Sequence, residues 1–180
     1  MDDREALSRA VDVTDQIVRH IKPDQMANET PCPEWDVRSL INHLIGQLGS
    51  LEGKLTGSDS ERSAPPGALP SRDLAGDDPS AAFSDVARAT ESAAAEDGAL
   101  ERAGMALGAI TADVVVHGWD LARATGQDAA FDDQVSDHLL RFVRQGITDQ
   151  NRSPMFGPEV QVPADAPATE RLVAFLGRRP

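Results

Sequence analysis

Apolar residues along this chain recur at three- and four-residue intervals and almost never alternate, so the pattern predicts helices and nearly no strand. Ala6, Leu7, Ala10, Val13, Thr14, Ile17, Val18 and Ile21 form one stripe, which gives a first amphipathic helix over about 3–21, stopped by Pro23. Thr30-Pro31-Cys32-Pro33-Glu34-Trp35 cannot be helical with its prolines so close, and is expected as a rigid, extended connector. Asp36 then reads as the N-cap of a second helix carrying Val37, Leu40, Ile41, Leu44, Ile45, Leu48, Leu51 and Leu55. Trp35, just before the cap, is placed to staple the start of that helix.

Residues 57–77 are rich in Gly, Ser, Pro and Asp, and a mobile surface loop is expected there. Asp78-Pro79 has the form of an N-cap with proline at the first helical position, opening a third helix through about Glu96. A fourth should run from about Ala106 to Thr125 with Gly126 just past its end, and a fifth from about Asp132 to Gly146. The proline-rich tail from Pro154 to Pro167 is expected over the surface, followed by a short helix from about Ala168 to Leu176. Four main helices with apolar stripes point to an all-α antiparallel four-helix bundle, closed by the short C-terminal helix, within one domain spanning 1–180. A chain of this length buries on the order of 70% of its unfolded surface, which suffices for one self-supporting core.

Charge narrows the partners. Seventeen Lys and Arg against 30 Asp and Glu leave a net charge of −13, a field that repels phosphate backbones and anionic lipid. Neither nucleic acid nor a membrane surface is therefore expected as a partner. The single cysteine, Cys32, excludes an internal disulfide and a thiolate-rich zinc site. Without an 18-residue apolar span or a signal-peptide pattern, the expected setting is soluble and cytoplasmic.

The candidate chemistry lies in the predicted fourth helix, where Asp113 and His117 stand four residues apart on one face, with His43 on the second helix as a third donor. Two readings stand at this point. The pair can simply hydrogen-bond each other, with His43 a core-edge residue whose ring is satisfied elsewhere. Alternatively, all three can converge on a divalent ion, zinc or nickel for such a nitrogen and oxygen set, leaving a position open for water or substrate. Among the remaining residues, Cys32 is expected as a small buried filler and Trp119 as a packing residue in the bundle. Asp120 either orients a neighbouring Arg or ligand His, or is a solvated carboxylate, and Arg123 is expected in a surface ion pair. His20 and His138 carry no signal of a partner.

Two motifs go further. Thr30-Pro31-Cys32-Pro33-Glu34-Trp35-Asp36-Val37-Arg38 leads into the His43 helix, and Val116-His117-Gly118-Trp119-Asp120-Leu121-Ala122-Arg123-Ala124-Thr125-Gly126 follows later; Phe156-Gly157-Pro158-Glu159-Val160 and Pro163-Ala164-Asp165 extend the likeness to nearly the whole chain. Together they resemble an actinobacterial family described as metal-binding, related to the N-terminal domain of mycothiol-dependent maleylpyruvate isomerase and to the wider DinB/YfiT-like superfamily. The resemblance implies a DinB-like bundle with a divalent metal near one end, its ligands at the positions of His43, Asp113 and His117. The isomerase carries Glu where this chain has Asp113, one methylene shorter, which would draw the ion toward the fourth helix or leave Asp113 bound through water. Mycothiol as co-substrate and a homodimer formed through bundle faces are further implications of the resemblance.

Two classes of function follow from these expectations. One is a metal-dependent enzyme of the thiol transferase or isomerase type, acting on a small-molecule substrate or thiol; hydrolysis by a metal-bound water is its variant. The other is a non-catalytic metal- or ligand-binding bundle serving as a sensor, carrier or assembly module.

Overall fold

A computed structural model describes residues 1–33, 35–152 and 156–180 of the chain. Its described residues form seven α-helices and no strand beyond one isolated bridge between Glu29 and Asp36. The helices are α1 (Asp3–Arg19), α2 (Val37–Thr56), α3 (Pro79–Ala94), α4 (Ala99–Ala103), α5 (Met105–Thr125), α6 (Asp133–Gly146) and α7 (Ala168–Phe175). The expected caps form: Asp36 accepts from the Ser39 amide at 2.8 Å, and Asp78 from that of Ala81 at 3.0 Å. Gly57 and Gly126 end α2 and α5 in the left-handed conformation. Short α4 left no periodicity to read, since five residues are barely more than one turn.

Helices α1, α2, α3 and α5 make the bundle, with α6 and α7 packed together beside α5. Leu40, Leu44, Leu48, Leu51 and Leu55 form the buried stripe of α2, and Phe83 of α3 is fully enclosed against it. Helix directions do not simply alternate. Arg38, at the start of α2, hydrogen-bonds Asp73 and the Gly76 carbonyl just before α3, while Thr90 near the end of α3 donates to the Leu48 carbonyl. Thus α2 and α3 run parallel. A parallel pair cannot be joined by a tight turn, and residues 57–77 provide the long return path.

That return segment has no regular structure, as its composition implied, and lies along α2, which supplies it with hydrogen bonds. Ser50 binds the Ala64 backbone on both its amide and carbonyl sides, Gln47 donates to Pro65, and Asn42 accepts from the amides of Leu74 and Ala75. Gly49 lets the backbones approach, because a Cβ there would stand 2.9 Å from the Arg62 carbonyl carbon and 2.5 Å from its Cβ. Gly49→Ala should lower stability to urea by about 1–3 kcal/mol through this overpacking, with the better helix propensity of alanine offsetting only part of it. Unchanged or increased stability would show that the segment yields without cost.

The Thr30–Trp35 stretch departs from the extended connector expected for it. Thr30 Oγ1 lies 2.7 Å from the Trp35 carbonyl and accepts from the Cys32 amide at 3.1 Å, and the Trp35 amide donates back to the Cys32 carbonyl. The chain therefore doubles back, because the threonine hydroxyl supplies the local partners that prolines deny the backbone. Glu34 of this motif lies outside the described residues, as does the start of the proline-rich tail at Pro154. From Phe156 to Pro167 that tail runs over the surface, exposed or half-buried throughout. No helix among the described residues is long and apolar enough to cross a membrane.

Candidate metal centre

The antiparallel packing of α2 against α5 brings His43 opposite the Asp113/His117 turn. His43 Nε2 lies 2.9 Å from Asp113 Oδ2, and His117 Nε2 lies 3.4 Å from Asp113 Oδ1. One donor atom from each of the three residues lies within 4.8 Å of the other two. Both histidines are buried, whereas Asp113 is half-buried; all three line a cavity of about 2160 Å³ that opens to solvent between α2, α5 and α6. The structure thus unites all the ligand candidates read from the sequence, even though His43 and Asp113 are 70 residues apart.

The other nitrogens of the two imidazoles bear on both readings of this cluster. His43 Nδ1 faces the Ala68 carbonyl at 2.9 Å, and a carbonyl can only accept, so Nδ1 carries the hydrogen. His117 Nδ1 lies 2.9 Å from Asp120 Oδ2. Each ring is therefore held from behind with Nε2 aimed at the shared point, the arrangement that outer partners impose on metal-ligating histidines. These bonds satisfy buried ring nitrogens in either reading, and with an ion present they would also fix the direction of both Nε2 atoms. Two imidazole nitrogens and a carboxylate with an open side suit a divalent ion bound at roughly 2.0–2.2 Å from each donor.

Electrostatics of the metal-free cluster couple Asp113 and His117 as an ion pair. Burial pushes the Asp113 carboxyl up, but the His117 charge and hydrogen bonds from both imidazoles overcome it and hold the group well below the usual carboxylate range. Burial pushes His117 down, yet the Asp113 charge and hydrogen bond, followed by those of Asp120, raise it to about 9. Near neutral pH a proton therefore sits on His117 where a cation can replace it.

Three further residues surround the centre. Trp35 lies over the centre, its ring 4.4 Å from that of His43 and 5.8 Å from that of His117. Asp120 takes the orienting role that was one of its two readings, and is fully buried rather than solvated. Arg178, close to the end of the chain, reaches Asp120 with Nη2 at 2.9 Å. Its spacing from Asp120 carries no helical register, and a backbone carbonyl such as that of Ala68 leaves no trace in residue type at all.

Other expectations are corrected. Cys32 is half-buried and lines the cavity instead of filling the core, because the Thr30 turn carries it to the rim. Arg123 lies over the Trp119 ring at 5.5 Å, so an aromatic face is a partner for it that the expected ion pair did not foresee. His138 pairs with Asp3 at 2.7 Å, and His20 Nδ1 lies 2.7 Å from the Gln16 carbonyl; neither is near the centre.

Comparison with known proteins places the chain in a family. Residues 7–122, which include His43, Asp113, His117 and Asp120, match the family described as the mycothiol maleylpyruvate isomerase N-terminal domain. The chain belongs to this family. It is also 32% identical to two proteins of Mycobacterium tuberculosis, the uncharacterized protein MT0763 of strain CDC 1551 / Oshkosh and the uncharacterized protein Rv0738 of strain H37Rv. Each alignment covers 99% of this chain and 98% of the relative. No solved structure gives a significant match. For this member of the isomerase-domain family, the matched region ends within α5, so α6, α7 and Arg178 lie beyond it.

Proposed function

We propose that this protein binds one divalent ion, zinc or nickel, through His43, Asp113 and His117, and uses it to activate a small thiol for transfer or isomerisation. The observation that supports this reading is the pair of imidazoles whose Nδ1 atoms are both engaged by acceptors, with both Nε2 atoms turned to one carboxylate. A bound divalent ion lowers the pKa of a coordinated thiol or water and so supplies a nucleophile at neutral pH. The chain's own residues provide the rest. Asp113 accepts the hydrogen bond of protonated His117 in the metal-free centre and would offer its carboxylate to an ion once that proton leaves. Ala68 and Asp120 keep the rings from rotating. Trp35 covers one side and limits water access, while the cavity leaves the other side open to a substrate. Membership of the isomerase-domain family makes mycothiol the thiol to try first.

The second reading, a metal- or ligand-binding bundle without turnover, is favoured by one fact: the matched family describes only the N-terminal domain of that isomerase. The two readings separate experimentally. Protein purified without an affinity tag should carry near-stoichiometric metal by inductively coupled plasma mass spectrometry, and His43→Ala and His117→Ala should each lose it. A wild type that holds no ion even after reloading would end both metal readings. With metal present, thiol binding that requires the ion supports the enzyme, and identical binding to metal-free protein supports the non-catalytic bundle.

A further inference from the structure

Behind the three ligand candidates lies a second layer whose last member comes from outside the matched family region. Asp120 is fully buried on α5, one turn beyond His117, and its Oδ2 is approached by both His117 Nδ1 and Arg178 Nη2 at 2.9 Å. Arg178 Nε adds a longer contact to Oδ1 at 3.4 Å, so the guanidinium grips both carboxylate oxygens and fixes the plane of the group. The arginine is itself anchored. Its amide donates to the Val173 carbonyl at 2.9 Å, its Nη1 to the Leu176 carbonyl at 3.3 Å, and its side chain is only 12% exposed. A special piece of backbone delivers it there. Gly177 has φ +90 and lies so close to Gly157 that a Cβ on it would stand 2.8 Å from the Gly157 Cα, so the chain after α7 turns inward through a contact of two glycine backbones.

We propose that Arg178 is a positioning residue of the metal centre, acting through Asp120 to hold His117 with Nε2 facing Asp113 and His43. The inference rests on the metal-binding reading above, and deepens it by making the C-terminal segment part of the centre. Without the guanidinium, Asp120 would keep a buried charge paired with His117, and its carboxylate could rotate away from Nδ1. A ligand ring free to turn about χ2 presents its nitrogen less precisely, and loss of such outer partners typically weakens metal binding about 10–100-fold.

The test uses the full chain and Co²⁺, whose visible spectrum reports coordination geometry, with affinity measured against a competing chelator. Arg178→Met should weaken Co²⁺ binding by about 10–100-fold and change the visible bands. Arg178→Lys should fall between the two, since an ammonium restores the charge without the planar fork. Asp120→Asn should weaken binding as Arg178→Met does, and the combined variant no further. That pair removes both buried charges together, so it also serves if Arg178→Met alone does not fold. Wild-type affinity and spectrum in Arg178→Met would overturn the inference, as would a combined variant markedly weaker than Asp120→Asn alone, because Arg178 would then act by some other route. If the wild type binds no Co²⁺ while remaining folded, the metal reading itself falls and takes the inference with it. Binding by the wild type with no response to Arg178 leaves the metal reading standing alone.

Discussion

Asp113→Asn is expected to lose divalent metal binding by more than the roughly 10–100-fold associated with an outer partner, because it removes the only anionic donor of the three. The amide occupies nearly the same volume, so the change isolates charge from packing. In the metal-free protein the same substitution removes the largest influence holding His117 up, and its pKa should drop from about 9. Two measurements on one variant therefore check two consequences of one carboxylate: chelator competition for the affinity and an NMR titration of the ring for the pKa. Asp113→Glu provides the control, since it keeps the charge and adds the methylene found at the matching isomerase position. Metal affinity unaffected in Asp113→Asn would remove Asp113 from the ligand set and leave two histidines.

Raising the pH should move metal affinity and metal-free stability in opposite directions. His117 has a folded-state pKa of about 9 against an ordinary 6.5, so its contribution to folding is fully present below about 6.5 and is lost as pH rises toward 9. Asp113 is shifted the other way: its contribution is present above the ordinary carboxylate range and disappears only in strong acid. Metal-free protein should therefore be less stable to urea at pH 9 than at pH 6.5. An ion must displace the proton from His117 Nε2, so affinity should rise about tenfold per pH unit until about pH 9 and then level off. Calorimetry in buffers of different ionisation enthalpy would count the protons released. A flat affinity profile would mean that His117 is already neutral, contrary to the electrostatics of the site.

How much of this was visible in the sequence depended on the range of each interaction. Helices carried by long apolar stripes, such as α2 with its leucine ladder, announced themselves, and their caps were chemically explicit at Asp36 and Asp78. The Asp113/His117 pair was legible because both residues share one helical face. That His43 meets them depends on how α2 packs against α5, which apolar periodicity alone leaves undetermined; the resemblance to a known family supplied that step. The direction of α3 was hidden because the return path runs through an irregular segment whose hydrogen bonds are largely to backbone atoms. Arg178 was hidden for a different reason: its position depends on two glycine backbones touching, a contact without any side-chain signature.

The sequence separations within the centre have a consequence for assembly. Its closing contacts join residues 25, 58 and 70 positions apart, reaching from α2 to the last few residues of the chain. Loop-closure entropy opposes each of these until the helices have docked, so the arrangement depends on tertiary packing and not on any one helix. An ion held by His43, Asp113 and His117 would therefore bind only molecules in which α2 and α5 have already docked.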